Sequence, residues 1–358
     1  MGLFNKIFKK ESKKQHKGFY SLTINKIEKV TSDSVKVILD VPADLKSTFN
    51  FIPGQYINFL IEINGKEERR SYSICSGPNE PLAVAVKEIK NGTVSVWFNK
   101  SAEEGMEISV SKPEGNFKLE SSASTIVAFA AGSGITPIVS IAKSIENTAK
   151  KMTLFYGNRT INSIILKNEL DTQKAVATNY YLTGEKAEGY LEGRLDKSSI
   201  TEAIKQNLEL LKADAYFLCG PEQMIVDIVE VLNMFGVAKD KIHYELFTTP
   251  TMMKPETEEA KTTFKGESDV TVILDGEKIN FKLKSDGKPI LDILDKEGFD
   301  APYSCRGGVC CSCKAKVLSG EATMKLNYVL TEQEVKDGYV LMCQAHPASD
   351  ELTVSFDA

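Results

Sequence analysis

The sequence predicts a multidomain chain: an antiparallel β-barrel, then an α/β domain on a parallel sheet, then a small α+β domain. Three observations carry this reading. From 18 to about 119, short alternating stretches such as Val35-Lys36-Val37-Ile38-Leu39 and Leu82-Ala83-Val84-Ala85-Val86 are broken by Pro, Gly and Asn turns, as in antiparallel strands with one buried face. From about 121, apolar runs (126–131, 152–156, 215–219) alternate with helical patterns (137–149, 222–235), as in βαβ units. Beyond a Thr-, Glu-, Lys- and Pro-rich stretch without periodicity, strand patterns at 270–274 and 278–283 flank the turn pair Asp275-Gly276, and a helical stretch at 290–297 leads into a cysteine-rich loop.

In chain order, residues 1–17 read as a basic N-terminal tail, 18–120 as the barrel, 121–247 as the α/β domain, 248–267 as a linker and 268–358 as the α+β domain. A length of 358 residues suits two or three domains, and 42% hydrophobic with 26% charged residues is ordinary globular composition. No apolar run reaches a membrane span, so a soluble, cytoplasmic protein is expected. The net charge of -5 is unevenly spread. Six lysines face Glu11 in residues 1–17, whereas 268–358 holds fifteen acidic residues against ten basic. An acidic C-terminal module can steer a basic docking partner or simply keep the chain in solution; no nucleic acid is expected. Leu3, Phe4, Ile7 and Phe8 would share one face of a short N-terminal helix, able to touch anionic lipid, although a frayed or partner-docked tail fits so short a segment better. Lys6 stands where a myristoylation signal needs Ser or Thr.

The chemistry is densest near the C-terminus. Cys305, Cys310, Cys313 and Cys343 follow Cys-x4-Cys-x2-Cys-x29-Cys, the spacing by which plant-type ferredoxins hold a 2Fe-2S cluster. Three thiolates on one loop and a fourth from a later strand can surround two irons, and Gly307 and Gly308 give that loop its freedom. The α+β domain is therefore expected to be a β-grasp 2Fe-2S ferredoxin. Zinc would want two separated ligand pairs, and disulfides suit neither an odd total of seven cysteines nor a reducing cytosol. A Rieske centre needs two histidine ligands in Cys-x-His and Cys-x2-His pairs, and His346 supplies neither. Cys311 is surplus to the ligand set.

Two further loops point to anions. Ala131-Gly132-Ser133-Gly134-Ile135-Thr136-Pro137 follows an apolar strand and opens a helix. Gly132 and Gly134 permit a tight turn close to a pyrophosphate, and Thr136 is placed to cap a helix with Pro137 in its first turn, leaving helix N–H groups free for phosphate. Cys219-Gly220-Pro221 follows a second apolar strand and can close over the same crevice. In the barrel, Arg70-Ser71-Tyr72-Ser73 leads into Ile74-Cys75-Ser76.

These three segments together resemble the ferredoxin-NADP reductase superfamily, and the domain order resembles its fused oxygenase reductases. Within that group, residues 71–76, 84–87, 156–159, 307–313 and 324–344 look most like the reductase subunits of phenylacetyl-CoA epoxidases, a resemblance spanning 18–358. It implies an FAD-binding barrel in which Arg70 neutralises flavin phosphates, Tyr72 packs on the isoalloxazine and Ser71 and Ser73 belong to the flavin site, with Ser73 near the reactive nitrogen. It matches Gly92, Val94 and Ser95 to a second phosphate loop, puts Thr136 by the nicotinamide, and sets Glu245 and Phe247 beside the flavin. Arg159, just past a strand, is placed to pair with a 2′-phosphate, favouring NADPH over NADH. The implied activity is an oxidoreductase relay from NAD(P)H through FAD and the cluster to an oxygenase or other acceptor protein, foremost a diiron phenylacetyl-CoA epoxidase-type complex, with a Rieske-type or other hydroxylase reductase, a general diaphorase and a non-enzymatic electron carrier or scaffold as the alternatives. The flavin is needed between a two-electron donor and a one-electron acceptor.

Overall fold

A computed structural model describes residues 16–253 and 264–358. The expected N-terminal helix with Leu3, Phe4, Ile7 and Phe8 and the middle of the expected linker lie outside the described residues.

The barrel comprises β1 (Phe19–Thr31), β2 (Ser34–Asp40), β3 (Tyr56–Ile63), β4 (Lys66–Ser73), β5 (Ala83–Lys87) and β6 (Glu107–Ser111), with helix α1 (Thr93–Lys100). Its strands pair antiparallel in the order β4-β3-β6-β1-β2-β5, and the Ile74–Val84 bridge joins the two outer strands. Asn64 and Gly65, both at positive φ, make the two-residue turn between β3 and β4. Ile57, Phe59 and Ile61 of β3 fill the barrel. Yet β3 is buried over six consecutive residues, because Tyr56 and Asn58 on its outer face are covered by the C-terminal domain.

The second sheet contains β7 (Thr125–Ala131), β8 (Lys151–Asn158), β9 (Val176–Leu182), β10 (Leu191–Glu192), β11 (Ala215–Cys219) and β12 (Ile242–Glu245), wholly parallel and ordered β10-β9-β8-β7-β11-β12. Helices α2 (Ile135–Ile145) and α3 (Lys167–Asp171) cover one face; α4 (Lys197–Gln206) and α5 (Glu222–Met234) cover the other. The chain leaves β7 in one direction and returns to β11 on its other side, so a switch point opens at the carboxyl ends of β7 and β11.

The third domain has β13 (Glu267–Leu274), β14 (Glu277–Lys284), α6 (Ile290–Lys296), β15 (Lys314–Ser319), β16 (Ala322–Met324), α7 (Glu332–Lys336), β17 (Tyr339–Leu341), β18 (Ala345–Pro347) and β19 (Glu351–Ser355). Five strands form a mixed sheet, β14-β13-β19-β15-β17, in which only β13 and β19 run parallel. Ile290, Leu291 and Leu294 of α6 pack into its core, the β-grasp arrangement. The β13–β14 turn is Asp275-Gly276, both at positive φ.

The domains are tightly docked. Arg69 of β4, 7% exposed, pairs with Asp300 and lies over the Tyr303 ring at 4.5 Å. His16 bridges Asp300 at 2.7 Å and Glu67 at 2.6 Å, and Lys17 reaches Asp275 at 2.6 Å. The end of the expected tail is thus fastened to both neighbouring domains. The described start of the expected linker is likewise anchored: the backbone N–H groups of Thr251, Met252 and Met253 all donate to the Glu222 carboxylate. Asp300 is partly exposed and keeps His16 when Arg69 is removed, so the loss falls below the roughly 3–5 kcal/mol of a fully buried pair yet still loosens the joint. Arg69→Ala is therefore expected to move the melting transition of the C-terminal domain to lower temperature in calorimetry while that of the parallel-sheet domain stays in place.

Candidate functional site

Strand alternation sends Ser71 and Ser73 to the outer face of the barrel, towards a cavity of about 610 Å3. Arg70, Ser71, Ser73, Glu245, Phe247 and Cys305 contribute to its wall. Ser73 donates to Glu245 Oε2 at 2.9 Å, a bond joining the barrel to the last strand of the parallel sheet. Burial pushes the Glu245 carboxyl up to about 7, against the opposing effect of that hydrogen bond. Arg70, half exposed, sits at the mouth beside Glu68 at 3.1 Å. Phe247 is also half exposed.

Tyr72 is not part of this wall. It packs edge-on against Phe59 and Phe98 at 5.8 and 5.6 Å, on the barrel core beneath α1. The start of α1 brings Gly92, Val94 and Ser95 together: Ser95 Oγ accepts from Ile89 N at 3.1 Å, and a Cβ on Gly92 would stand 2.5 Å from that oxygen. Among the described residues no side chain caps α1, so its first-turn N–H groups remain available to an anion.

The two glycine loops of the parallel sheet meet at its switch point. A Cβ on Gly134 would fall 2.0 Å from the Cys219 carbonyl oxygen, and one on Gly220 would fall 3.1 Å from Ala131 N. Gly132 adopts φ +54 with open space where a side chain would be. The expected Thr136 cap does not form. Helix α2 begins at Ile135, and Thr136, 3% exposed within the first turn, donates its hydroxyl to Ser133 O at 3.1 Å instead of accepting from a helix N–H. Pro137 accordingly lies deeper in the first turn. Like α1, helices α2 and α5 have no side-chain cap among the described residues, and Pro221 directly precedes α5. Arg159 is exposed just beyond β8.

The cysteine loop arranges its thiols in two pairs. Cys310 Sγ stands 3.1 Å from Cys305 Sγ, and Cys313 is hydrogen-bonded to Cys343. Within each pair the shared proton lowers one thiol and raises the other: Cys305 falls to about 6 through its bond from Cys310, aided by the N–H groups of Gly307, Val309 and Cys310, and Cys343 is lowered by Cys313. A two-iron cluster calls for two pairs of soft ligands, and the four thiols stand as two close pairs. The donor set therefore fits 2Fe-2S. Cys311 turns away: its sulfur faces Asn116 at 3.7 Å and burial pushes it up to about 12. Gly307 leaves room for Thr249, since a Cβ there would come within 1.8 Å of the threonine hydroxyl.

Sequence reasoning missed Tyr56, Asn58, Ser304 and Ser312, which seat this loop on the barrel, and assigned Ser71 to the flavin site without its bond to Ser304. The available signal was the polar residues spaced among the cysteines. Glu245 offers a pH test. Its folded-state pKa lies above the unfolded value of 4.5, so its stabilising contribution is complete below pH 4.5 and is lost as pH rises through about 7. Apoprotein stability is expected to fall relative to Glu245→Gln by up to about 3 kcal/mol across that window, read by urea unfolding at each pH.

Comparison with known proteins agrees with this geometry. Residues 21–119 match the oxidoreductase FAD-binding domain, 129–230 the oxidoreductase NAD-binding domain, and 272–348 the 2Fe-2S iron-sulfur cluster binding domain. The chain is 35% identical over 356 residues to one of the subunits of 1,2-phenylacetyl-CoA epoxidase from Escherichia coli (strain K12), covering 95% of this chain and 98% of that protein. It is 31% identical to the ferredoxin reductase component of 3-ketosteroid-9-alpha-monooxygenase from Rhodococcus rhodochrous, covering 94% and 96%. The solved structure of phthalate dioxygenase reductase shares the fold with a TM-score of 0.57 at 23% identity, covering 95% of this chain and 98% of that one. No helix among the described residues is long and apolar enough to cross a membrane. The chain therefore belongs to the family of modular oxygenase reductases, NAD(P)H-dependent oxidoreductases that carry FAD-binding, NAD-binding and 2Fe-2S domains in one polypeptide.

Proposed function

We propose that this reductase passes electrons from NADPH through FAD and a 2Fe-2S cluster to an oxygenase of the diiron, phenylacetyl-CoA epoxidase type. One observation carries the internal route: a single cavity is walled by Ser73 and Glu245 on one side and by Cys305 and Cys310 on the other, so flavin and cluster would share it. The flavin, when bound, supplies the conversion between two-electron and one-electron chemistry. Ser73 offers a hydroxyl towards the ring, Glu245 holds a proton in a buried site, and Tyr72 supports the ring from the barrel side. Arg70 and the α1 start at Gly92, Val94 and Ser95 hold flavin phosphates. The loops at 132–137 and 219–221 hold the dinucleotide pyrophosphate at the switch point, with Thr136 near the nicotinamide and Arg159 towards a 2′-phosphate. Cys305 with Cys310, and Cys313 with Cys343, would hold the two irons as pairs.

The acceptor assignment draws support from the identity with the epoxidase protein along nearly the whole chain. The comparable coverage of the ketosteroid monooxygenase reductase favours a second reading, a hydroxylase reductase. The deciding experiment supplies the purified reductase and NADPH to a diiron epoxidase complex with phenylacetyl-CoA, and in parallel to a ketosteroid hydroxylase. Epoxide formation in the first alone is expected; turnover of the second alone would replace the assignment.

Two variants test the route. Cys310→Ser is expected to abolish the visible and electron paramagnetic signals of the cluster while NADPH still bleaches the flavin; loss of flavin reduction as well would show that the two sites are not separable. Arg159→Ala is expected to raise KM for NADPH by roughly tenfold, as for a lost charge-assisted contact of about 1.5 kcal/mol, and to leave NADH nearly unaffected. Equal effects on both dinucleotides would make it a plain surface residue.

A further inference from the structure

Tyr56 stands directly across from Ser73 in the β3–β4 pairing and lines the same cavity as Ser73, Glu245, Cys305 and Cys310. It is 5% exposed. Gly115, at φ +114, makes room for it, because a Cβ there would press within 3.0 Å of the ring. Phenylalanine would fill the same space, so the hydroxyl needs its own account. It accepts from the Cys311 N–H at 3.1 Å, which leaves its single proton for Ser312 Oγ at 3.3 Å. Asn58, two residues along the same face, donates to Ser312 Oγ at 3.1 Å and accepts from Ser71 Oγ at 2.7 Å. Ser71 in turn is bonded to Ser304 Oγ at 2.7 Å. The barrel therefore grips the cysteine loop just before Cys305 and again between Cys310 and Cys313.

We propose that Tyr56 is a positioning residue for flavin-to-cluster electron transfer: through the Cys311 amide and the Ser312 hydroxyl it fixes the separation and orientation of the cysteine loop relative to the flavin cavity. The role rests on the electron route proposed above. It moves no atom. With both groups bound, a single electron would pass from the flavin cavity to the iron held by the cysteine loop, and the tyrosine would set the geometry of that transfer. A buried amide that loses its acceptor is left to open and find water, and a loop released at this point samples longer separations.

The test compares wild-type holoenzyme with Tyr56→Phe. Amide hydrogen exchange in the peptide containing Cys311 and Ser312 is expected to speed up by roughly tenfold, as for one lost hydrogen bond, with exchange elsewhere unchanged. In anaerobic stopped flow with NADPH, flavin bleaching should stay within about twofold while cluster reduction slows by roughly tenfold. Ser312→Ala, which leaves the Cys311 amide its tyrosine acceptor, should give the same two changes to a smaller degree, and the double variant should not appreciably exceed Tyr56→Phe. Unchanged exchange overturns the proposal, and so does faster exchange with undiminished cluster reduction, since the hydroxyl would then be structural only. If Tyr56→Phe fails to retain both cofactors, Ser312→Ala decides by the same criteria. A wild-type cluster that dithionite reduces but NADPH does not would defeat the electron route itself.

Discussion

The buried polar seam between the barrel and the cysteine loop is the constraint on which the rest of the molecule depends. A polar atom taken out of water must find a partner, and a half-satisfied network costs more than an apolar contact. Asn58 meets this demand with Ser71, Ser111, Glu114 and Ser312 around one side chain. Such a network has one satisfactory register, so it fixes position more sharply than oily packing does. Arg69, Asp300 and His16 extend the same logic to the outer margin of the joint. Burial of Glu114, which raises its pKa, is a by-product of this closeness.

The parallel sheet makes its contribution differently. Three helices that would normally be capped by a side chain, α1, α2 and α5, are left open at their amino ends. Elsewhere the capping is mixed: Asp196 and Thr331 form reciprocal capping boxes on α4 and α7, whereas the short helices α3 and α6 have no side-chain cap among the described residues. At α1 and α2, which carry no acidic residue in the first turn, the open N–H groups and dipole leave a positive field towards the expected phosphate loops; at α5 the first-turn Glu222 offsets it.

Much of the fold was legible because local signals were strong. Apolar runs at 126–131 and 215–219 became β7 and β11 almost residue for residue, and Asp275-Gly276 announced its hairpin. The four cysteines of the expected spacing stand as two close pairs, Cys305 with Cys310 and Cys313 with Cys343. The start of α2 was misplaced because Pro137 reads as a first-turn residue, while in the structure a short 3-10 turn over Gly132–Gly134 feeds the helix two residues earlier. The segments β10, β12 and α3 are short, and so few residues give the apolar period little length in which to declare itself, whereas β9 (VATNYYL) and α4 (KSSITEAIKQ) interleave polar residues with too few apolar ones to mark a buried run. The contacts of Tyr56, Asn58 and Ser71 were illegible for a deeper reason. Their partners lie more than two hundred residues away, and no periodicity within one segment reports what another domain will lay upon it.

The docking of the C-terminal domain bears on how any acceptor protein meets the cluster. Each further increment of about 1.4 kcal/mol in the joint lowers the fraction of molecules in the detached arrangement about tenfold. An acceptor requiring that arrangement binds with its intrinsic affinity scaled down by the same fraction, whereas one that reads the outward side of the docked domain carries no such handicap. Selection among acceptors is in this way partly written into the reductase's own closure, before either surface touches the other.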